Sequence, residues 1–568
     1  MRRPTRSPLA LALALALVPA AGQAVDGTAG PYLAARQALT AQDFAAAVEY
    51  LDALGEIPGV DPGLIEDAVV AHMALGDLDA AAVGAQRLAD MGLASRAGTM
   101  VQLVHLLRAG AYPAALAALS GREGTPIDPL LRGWTRIAKG SMSEALADFD
   151  ALAGEAALRD FALYHKALAL AFAGDVEGAE AILSGAAEGP IRLTRRGILA
   201  RAQVLALLER PDEALELIEA GFGPDPDPEA AALRDALAAG APQPFDIVGS
   251  ARDGMAEVFF DIASGLRGDT DDAFVLLLAR LALSLRPEHV QATLLAAGLL
   301  DAMGQHGLAG EVYGTVPPEA PLFHLAEIGR AEALARAGAA DEAIEVLRAL
   351  ADSHGHLALV HVNLGDMLRR ERQFDAASRA YDRAIEMLGT PQPEHWVVWY
   401  TRAITHERED RWPQAEADFR KALELNPDQP HVLNYLGYSL VERRENLDEA
   451  LDMIERAVAG EPDNGYIVDS LGWVFYRLGR YDEALVHMER AVELLPTDAV
   501  LNDHLGDVFW ALGRKREARF QWRRALSFGP ADDLDMDRIR RKLDIGLDAV
   551  LIEEGAEPHH ADAGSHGN

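Results

Sequence analysis

The chain has 568 residues, half of them apolar and only 6% aromatic, and carries a formal net charge of −36. Such a charge excludes general nucleic-acid binding, because phosphates would be repelled, and it keeps an apolar-rich chain in solution. Cysteine is absent; this excludes disulfide stapling, a cysteine-ligated zinc module and the cysteine that would accept a lipid anchor.

Residues 1–24 read as an export signal. Arg2, Arg3 and Arg6 precede the apolar run Leu9 to Val18, Pro19 breaks it, and Gly22-Gln23-Ala24 supplies small residues for cleavage after Ala24. The run is too short to span a bilayer, and no later run reaches that length without charges. The expectation is an exported, periplasmic bacterial protein with no transmembrane segment and no lipid anchor.

From residue 25 onward the chain repeats. The clearest blocks are headed by Gly437, Gly472 and Gly506, each after a leucine and spaced 35 and 34 residues apart. Each block ends alike: Ala450–Ile454–Ala457–Pro462, Ala484–Met488–Ala491–Pro496, Ala518–Trp522–Ala525–Pro530. In the Gly472 block, Leu471 and Phe475 share a face of a first helix. Gly479-Arg480-Tyr481-Asp482 makes a turn, and Ala484, Met488 and Ala491 form the facing side of a second helix that Pro496 stops. Small residues at closest approach, with large ones beside them, are what two tightly crossed helices need.

The same small-residue position recurs at Ala403, Gly365, Ala331, Ala297 and Ala263, with partners Ala415, Ala377, Ala343, Ala309 and Val275. Earlier it falls at Ala202, Ala167 and Gly133, with Ala214, Ala179 and Ala145, and in degenerate form at Leu103, Val70 and Ala35. A repeat of this length cannot bury a core alone and must stack on its neighbours. The pattern predicts an all-α solenoid of about fourteen antiparallel helix pairs. The step from Ala202 to Ala263 is 61 residues, a repeat plus a surplus at Gly221 to Ala251 that holds Pro224, Pro226, Pro228, Pro242 and Pro244. This surplus is either a hinge between two blocks or a degenerate pair. The expected domains are 25–222, a linker or insert at 223–250, 251–530, a single capping helix in 531–554 and a disordered tail, 555–568.

Leu-Gly in the first helix, then Ala, a large residue, Ala and Pro in the second, resembles the tetratricopeptide repeat (TPR) family, most specifically from Trp396 to Pro530. The resemblance implies a right-handed superhelix with a concave groove lined by first helices. Its ligand-contacting positions fall on Tyr400, Asn434, Tyr438, Asp469, Trp473, Tyr476, Asp503, Asp507 and Trp510, an aromatic and acidic surface suited to polypeptide with apolar and basic side chains. The alternative is that these aromatics only pack between adjacent repeats.

No phosphate loop, dinucleotide fingerprint or nucleophile elbow is present, so neither an enzyme nor a cofactor is expected. His406-Glu407-Arg408-Glu409-Asp410 lacks the second histidine of a zinc motif. His354, His356 and His361 read as turn and core residues, and His559, His560 and His566 as tail residues without a structural metal. A basic cluster, Arg514, Lys515, Arg516, Arg519, Arg523, Arg524, Arg538, Arg540, Arg541 and Lys542, either docks an acidic partner or lipid headgroup or pairs with Asp532, Asp533, Asp535 and Asp537. The C-terminal blocks, Leu433-Asn434-Tyr435-Leu436-Gly437-Tyr438 and Asp469-Ser470-Leu471-Gly472-Trp473, are similar to envelope TPR adaptors that bring substrates to carboxyl-terminal processing proteases. The resemblance implies a non-catalytic periplasmic scaffold or adaptor whose partners are envelope proteins or peptides. A structural subunit of a secretion or outer-membrane assembly is the alternative.

Overall fold

The computed structural model describes residues 29–560 apart from 58, 94, 121–124, 126, 224–225 and 531–533. The expected export signal (1–24), Pro224, Asp532, Asp533 and the tail beyond residue 560, with His566, lie outside the described residues. Among the described residues there are 31 α-helices, one short 3-10 turn and no strand. No described helix is long and apolar enough to cross a membrane.

Local chemistry sets the helix ends. The carboxylates of Asp43, Asp77 and Asp175 each accept the amide three residues on, satisfying a donor that the first helical turn leaves free. Gly76 ends the helix Pro62–Leu75 at φ 87°, a left-handed conformation that glycine adopts without steric cost. The turn expected at 479–482 is observed at 478–480, between the helices Gly465–Arg477 and Tyr481–Leu494, so that Tyr481 and Asp482 already belong to the second helix.

The repeat register expected from spacing is the one observed. Ala403, Ala331, Ala297, Ala263, Ala202, Ala167 and Ala35 are buried, as are their partners Ala415, Ala343, Ala309, Val275, Ala214 and Ala179. A Cβ added to Gly506 would lie 2.4 Å from Trp522 Nε1, and one on Gly472 2.9 Å from Met488 Cγ. Those glycines therefore let the large residue of the second helix sit directly on the first helix backbone. Val70 is the exception: it is half-buried, while Val69 before it is fully buried and meets the second helix, where a Cβ on Gly84 would lie 2.9 Å from Val69 Cγ2, a one-residue shift of the anchor.

The chain divides into two compact units at 346/347, within the helix Ala340–His354. In the first unit, helix pairs follow one another from Ala29 to Phe222, and the single helix Pro228–Ala238 packs on the pair before it. Residues 226–250 lie inside this unit. Ile247 and Val248 are buried, Gln203 exchanges two hydrogen bonds with Asp246 at 2.6 and 3.1 Å, and Arg286 donates to the Ile247 carbonyl at 2.7 Å.

The next pair, Ala251–Leu266 and Asp272–Leu285, departs from pure neighbour stacking. It packs against Ile127–Ala138 and Arg159–Phe172 through its first helix, and against Pro62–Leu75 and Arg96–Arg108 through its second. Gly254 makes this possible, since a Cβ there would lie 2.3 Å from Trp134 Cδ2. Arg280 Nε donates to the Ala74 carbonyl at 3.0 Å, and Arg252 Nη2 to the Arg108 carbonyl at 3.1 Å. Burial pulls the Arg280 guanidinium down to about 10.

The second unit contains the five pairs anchored by Gly365, Ala403, Gly437, Gly472 and Gly506. Its C-terminal segment forms two helices, Met536–Ile545 and Leu547–Glu553, instead of the single capping helix expected. The break is at Gly546, φ 86°, where the backbone approaches Trp510 so closely that a Cβ would be 2.6 Å from the indole. Residues 555–560, expected to be disordered, are held: His559 and His560 are bonded to side chains of the repeats and of this segment.

Candidate functional site

In the second unit the first helices of successive pairs lie side by side: Pro430–Arg443 touches Gly465–Arg477, which touches Ala499–Ala511. Equivalent positions thus form rows. Asn434, Asp469 and Asp503 make one row, and Tyr438, Trp473 and Asp507 the next, one turn later. Tyr476 and Trp510 follow. Each of these helices is started by a side-chain cap, from Gln429, Asn464 and Asp498 in turn.

Four of the nine expected contact residues are covered by the chain's own C-terminal segment. Lys542 is completely buried, and its Nζ donates to Asp503 at 3.0 and 2.8 Å and to Asp507 at 2.7 and 2.8 Å. Asp507 also accepts from Trp522 Nε1 at 2.9 Å. Burial pushes the Asp507 carboxyl up, partly offset by Lys542. Trp510 donates to Asp548 at 2.9 Å, and Tyr476 meets His559 Nε2 at 2.7 Å, with Tyr481 on the other ring nitrogen at 2.9 Å. Burial raises the Tyr476 hydroxyl well above its ordinary range and lowers His559. A neutral imidazole with one donating and one accepting nitrogen satisfies both tyrosines.

Of the other five residues, Tyr400 lies on the helix Trp396–Arg408 and Asn434, Tyr438, Asp469 and Trp473 on Pro430–Arg443 and Gly465–Arg477; Asp469 is buried and the rest are half-buried. Tyr400 packs among Trp396, Phe419 and Tyr435, with ring centroids 5.8 to 6.2 Å apart. Trp473 stacks on His504 at 4.1 Å and on Tyr476 at 4.7 Å, and donates to Glu442 at 2.6 Å. His504 bonds Asp469 Oδ2 at 2.9 Å; burial acts to lower this imidazole, and Asp469 outweighs it and raises it. Two buried acceptors in the row have no hydrogen-bond partner, Asn434 Oδ1 and Asp469 Oδ1. The third member of the row, Asp503, is the one filled by Lys542.

Sequence reasoning missed Lys542, His504, Glu442, Asp548 and His559. The available signal was the pair Asp503/Asp507 itself: two inward carboxylates one turn apart need a counter-charge. The basic cluster is mostly spoken for. Arg514 pairs with Glu517, Arg538 with Glu554 and Arg541 with Glu553, and Arg540 with Asp537 as anticipated. Among the described residues no three His, Asp or Glu side chains are grouped to hold a metal ion. His361 bonds the Gly355 carbonyl at 2.9 Å.

Residues 362–430 and 468–498 match the tetratricopeptide repeat family. A TPR repeat-containing protein of Pseudomonas aeruginosa is 30% identical over 159 residues, covering 28% of this chain and 26% of that protein. The E3 ubiquitin-protein ligase CHIP of Arabidopsis thaliana is 28% identical over 109 residues, 19% of this chain and 38% of the ligase. The chain thus spans about a quarter to two fifths of the length of these curated relatives. Among solved structures, the APC/C hetero-tetramer Cut9–Hcn1 aligns over 92% of this chain and 97% of its own at 15% identity and a TM-score of 0.37. A tetratricopeptide repeat protein of Parabacteroides merdae aligns over 45% of this chain and 97% of its own at 18% identity and a TM-score of 0.37. With two direct matches and the anchor spacing repeated around them, the chain carries tetratricopeptide repeats.

Proposed function

We propose that the protein is a non-catalytic scaffold that holds polypeptide on the inner row of its second unit, between Tyr400 and Trp473. The observation that carries this reading is the row Asn434, Asp469, Asp503: its last member is filled by a lysine of the chain itself, and its first two keep buried acceptors without donors. A buried acceptor left unpaired costs about 1–3 kcal/mol, which a bound donor recovers. Lys542 supplies the pattern for the ligand: a basic side chain entering the row, its ammonium 5.7 Å from the centre of the Trp522 ring. Tetratricopeptide repeats bring such rows together without an active-site constellation, which supports a binding role. The reading extends to an exported protein of the periplasm, sent there by residues 1–24, that gathers envelope polypeptides and presents them to a processing protease.

A photo-crosslinking amino acid placed at Tyr438 tests this in the cell that makes the protein. The expected result is polypeptide adducts in the periplasmic fraction, reduced about tenfold or more by Asn434→Ala with Asp469→Asn. A protease among the adducts supports the adaptor role. Protein found in the cytosol rejects the location, and adducts indifferent to both substitutions reject the row.

A further inference from the structure

A cavity of about 500 Å3 opens in the first unit, bordered by Asp160, Phe161, Tyr164, Arg192, Thr194 and Asp261. Asp261 is only 8% exposed, yet it forms part of the wall. Its ion-pair neighbour is His165, with Nε2 3.3 Å from Oδ2, and neither of these atoms completes a hydrogen bond. The other nitrogen of that ring, Nδ1, accepts from Trp134 Nε1 at 3.1 Å. With Nδ1 taken as an acceptor, the ring keeps its one proton on Nε2 and is neutral.

The nearby full cation is also committed. Arg196 is bonded to Glu257, which is fully buried and receives Tyr164 at 3.2 Å and His289 at 3.3 Å as well. Asp261 therefore stands against a neutral imidazole, with a second carboxylate behind it. Burial, aided by Glu257 and opposed by His165, pushes its carboxyl up to about 6. A buried carboxylate without a cation is costly, and Asp261 is part of the cavity wall.

The walls suit an amphipathic cation. Phe161 and Tyr164 offer ring surface beside the acid, where an alkyl stem or a guanidinium plane gains from contact. A second cavity of about 220 Å3, lined by Leu130, Leu152, Leu158, Ile262 and Leu266, shares Phe161 with the first. It provides an apolar slot next to the charged one. On the rim, Arg192 and Thr194 are exposed, and Asp160 accepts from the Arg192 amide at 3.3 Å. A chain with net charge −36 also draws basic polypeptide towards it.

We propose that this cavity receives an arginine or lysine side chain of a bound polypeptide, its cationic head on Asp261 and an apolar neighbour residue in the slot beyond Phe161. This site is separate from the row in the second unit and does not depend on it.

The test uses the full chain labelled with 5-fluorotryptophan, the Trp134 resonance being assigned through Trp134→Phe. The probes are a capped hexapeptide carrying Arg-Leu, the same peptide with citrulline for arginine, and capped arginine amide alone. The Arg-Leu peptide should shift the Trp134 resonance, because that indole holds the imidazole facing Asp261. Citrulline has nearly the same shape without charge and should bind about tenfold or more weakly. Asp261→Asn should abolish the shift while the other tryptophan resonances stay in place, and Asp469→Asn should leave it intact. No shift with the Arg-Leu peptide, equal binding of the citrulline peptide, or unchanged binding by Asp261→Asn would overturn the proposal. Capped arginine amide binding as tightly as the hexapeptide would overturn the polypeptide as occupant.

Discussion

Replacing Lys542 with methionine is expected to destabilise the end of the second unit by about 3–5 kcal/mol, because it leaves two buried carboxylates without their cation. Asp503 and Asp507 are both less than a tenth exposed, and four hydrogen bonds from one ammonium hold them. Arg538 reaches only to 3.8 Å of Asp507 and cannot take over that role. Segment 536–560 should then leave the repeats, releasing Trp510 and Tyr476 together with it. Native-state hydrogen exchange reads this directly as lost protection in Ala499–Ala511 and Lys515–Ser527, with the Gly365 pair unaffected. Adding Asp507→Asn to Lys542→Met should recover part of the loss, since one buried charge fewer remains. Full protection in the single variant would mean that these carboxylates do not need the lysine.

The second large effect is expected in the first unit. Arg196→Met removes the guanidinium from Glu257, which is entirely buried and left with His289 and Tyr164. Burial alone would raise this carboxyl, but Arg196 and His289 outweigh it and hold it well below the ordinary glutamate range. A folded-state value below the unfolded one contributes stability above the unfolded value, near 4.5, that is lost as pH falls beneath it. Without Arg196 the order reverses: Glu257 is raised above its unfolded value, and the folded state suffers most when the carboxylate must ionise. The variant should therefore lose about 3–5 kcal/mol at pH 7.5 and approach the parent as the pH falls towards 5, where Glu257 takes up a proton. Urea unfolding of both proteins at the two pH values checks the sign. A gap that widens on acidification would contradict the arrangement.

The parts of this protein that could be read from sequence are those set by neighbours in the chain. Gly437, Gly472 and Gly506 precede their large partners by one helix hairpin, so spacing alone pairs Gly506 with Trp522 and Gly472 with Met488. Where the anchor is degenerate, as at Val70, the register slips by one to Val69, because Gly84 on the second helix leaves room for the valine side chain. What could not be read depends on residues far apart. The packing of Gly254 on Trp134 and of Arg280 on Ala74 joins helices more than a hundred residues from each other, and no periodic signal announces it. The proline-rich stretch at 223–250 reads by composition as a linker or an insert, and composition does not announce the bonds that Gln203 makes to Asp246 and Arg286 to Ile247.

The candidate row was legible as a surface and not as an occupied one. Its residue types followed from the resemblance to tetratricopeptide repeats, whereas Lys542 sits in a string of basic residues where nothing marks it as the one that turns inward. Gly546, which lets the chain bend over Trp510, is likewise an ordinary glycine until the indole beneath it is seen. The difference between the filled and unfilled parts of the row lies in the Lys542 ammonium.

The most direct test of the proposed binding face is hydrogen exchange of the full chain with and without a lysine-bearing peptide recovered from the Tyr438 adducts. The account predicts new protection confined to Trp396–Arg408, Pro430–Arg443 and Gly465–Arg477, lost in the Asn434→Ala, Asp469→Asn protein. Protection appearing only on the second helices Trp412–Leu425, Leu447–Gly460 and Tyr481–Leu494 would contradict it.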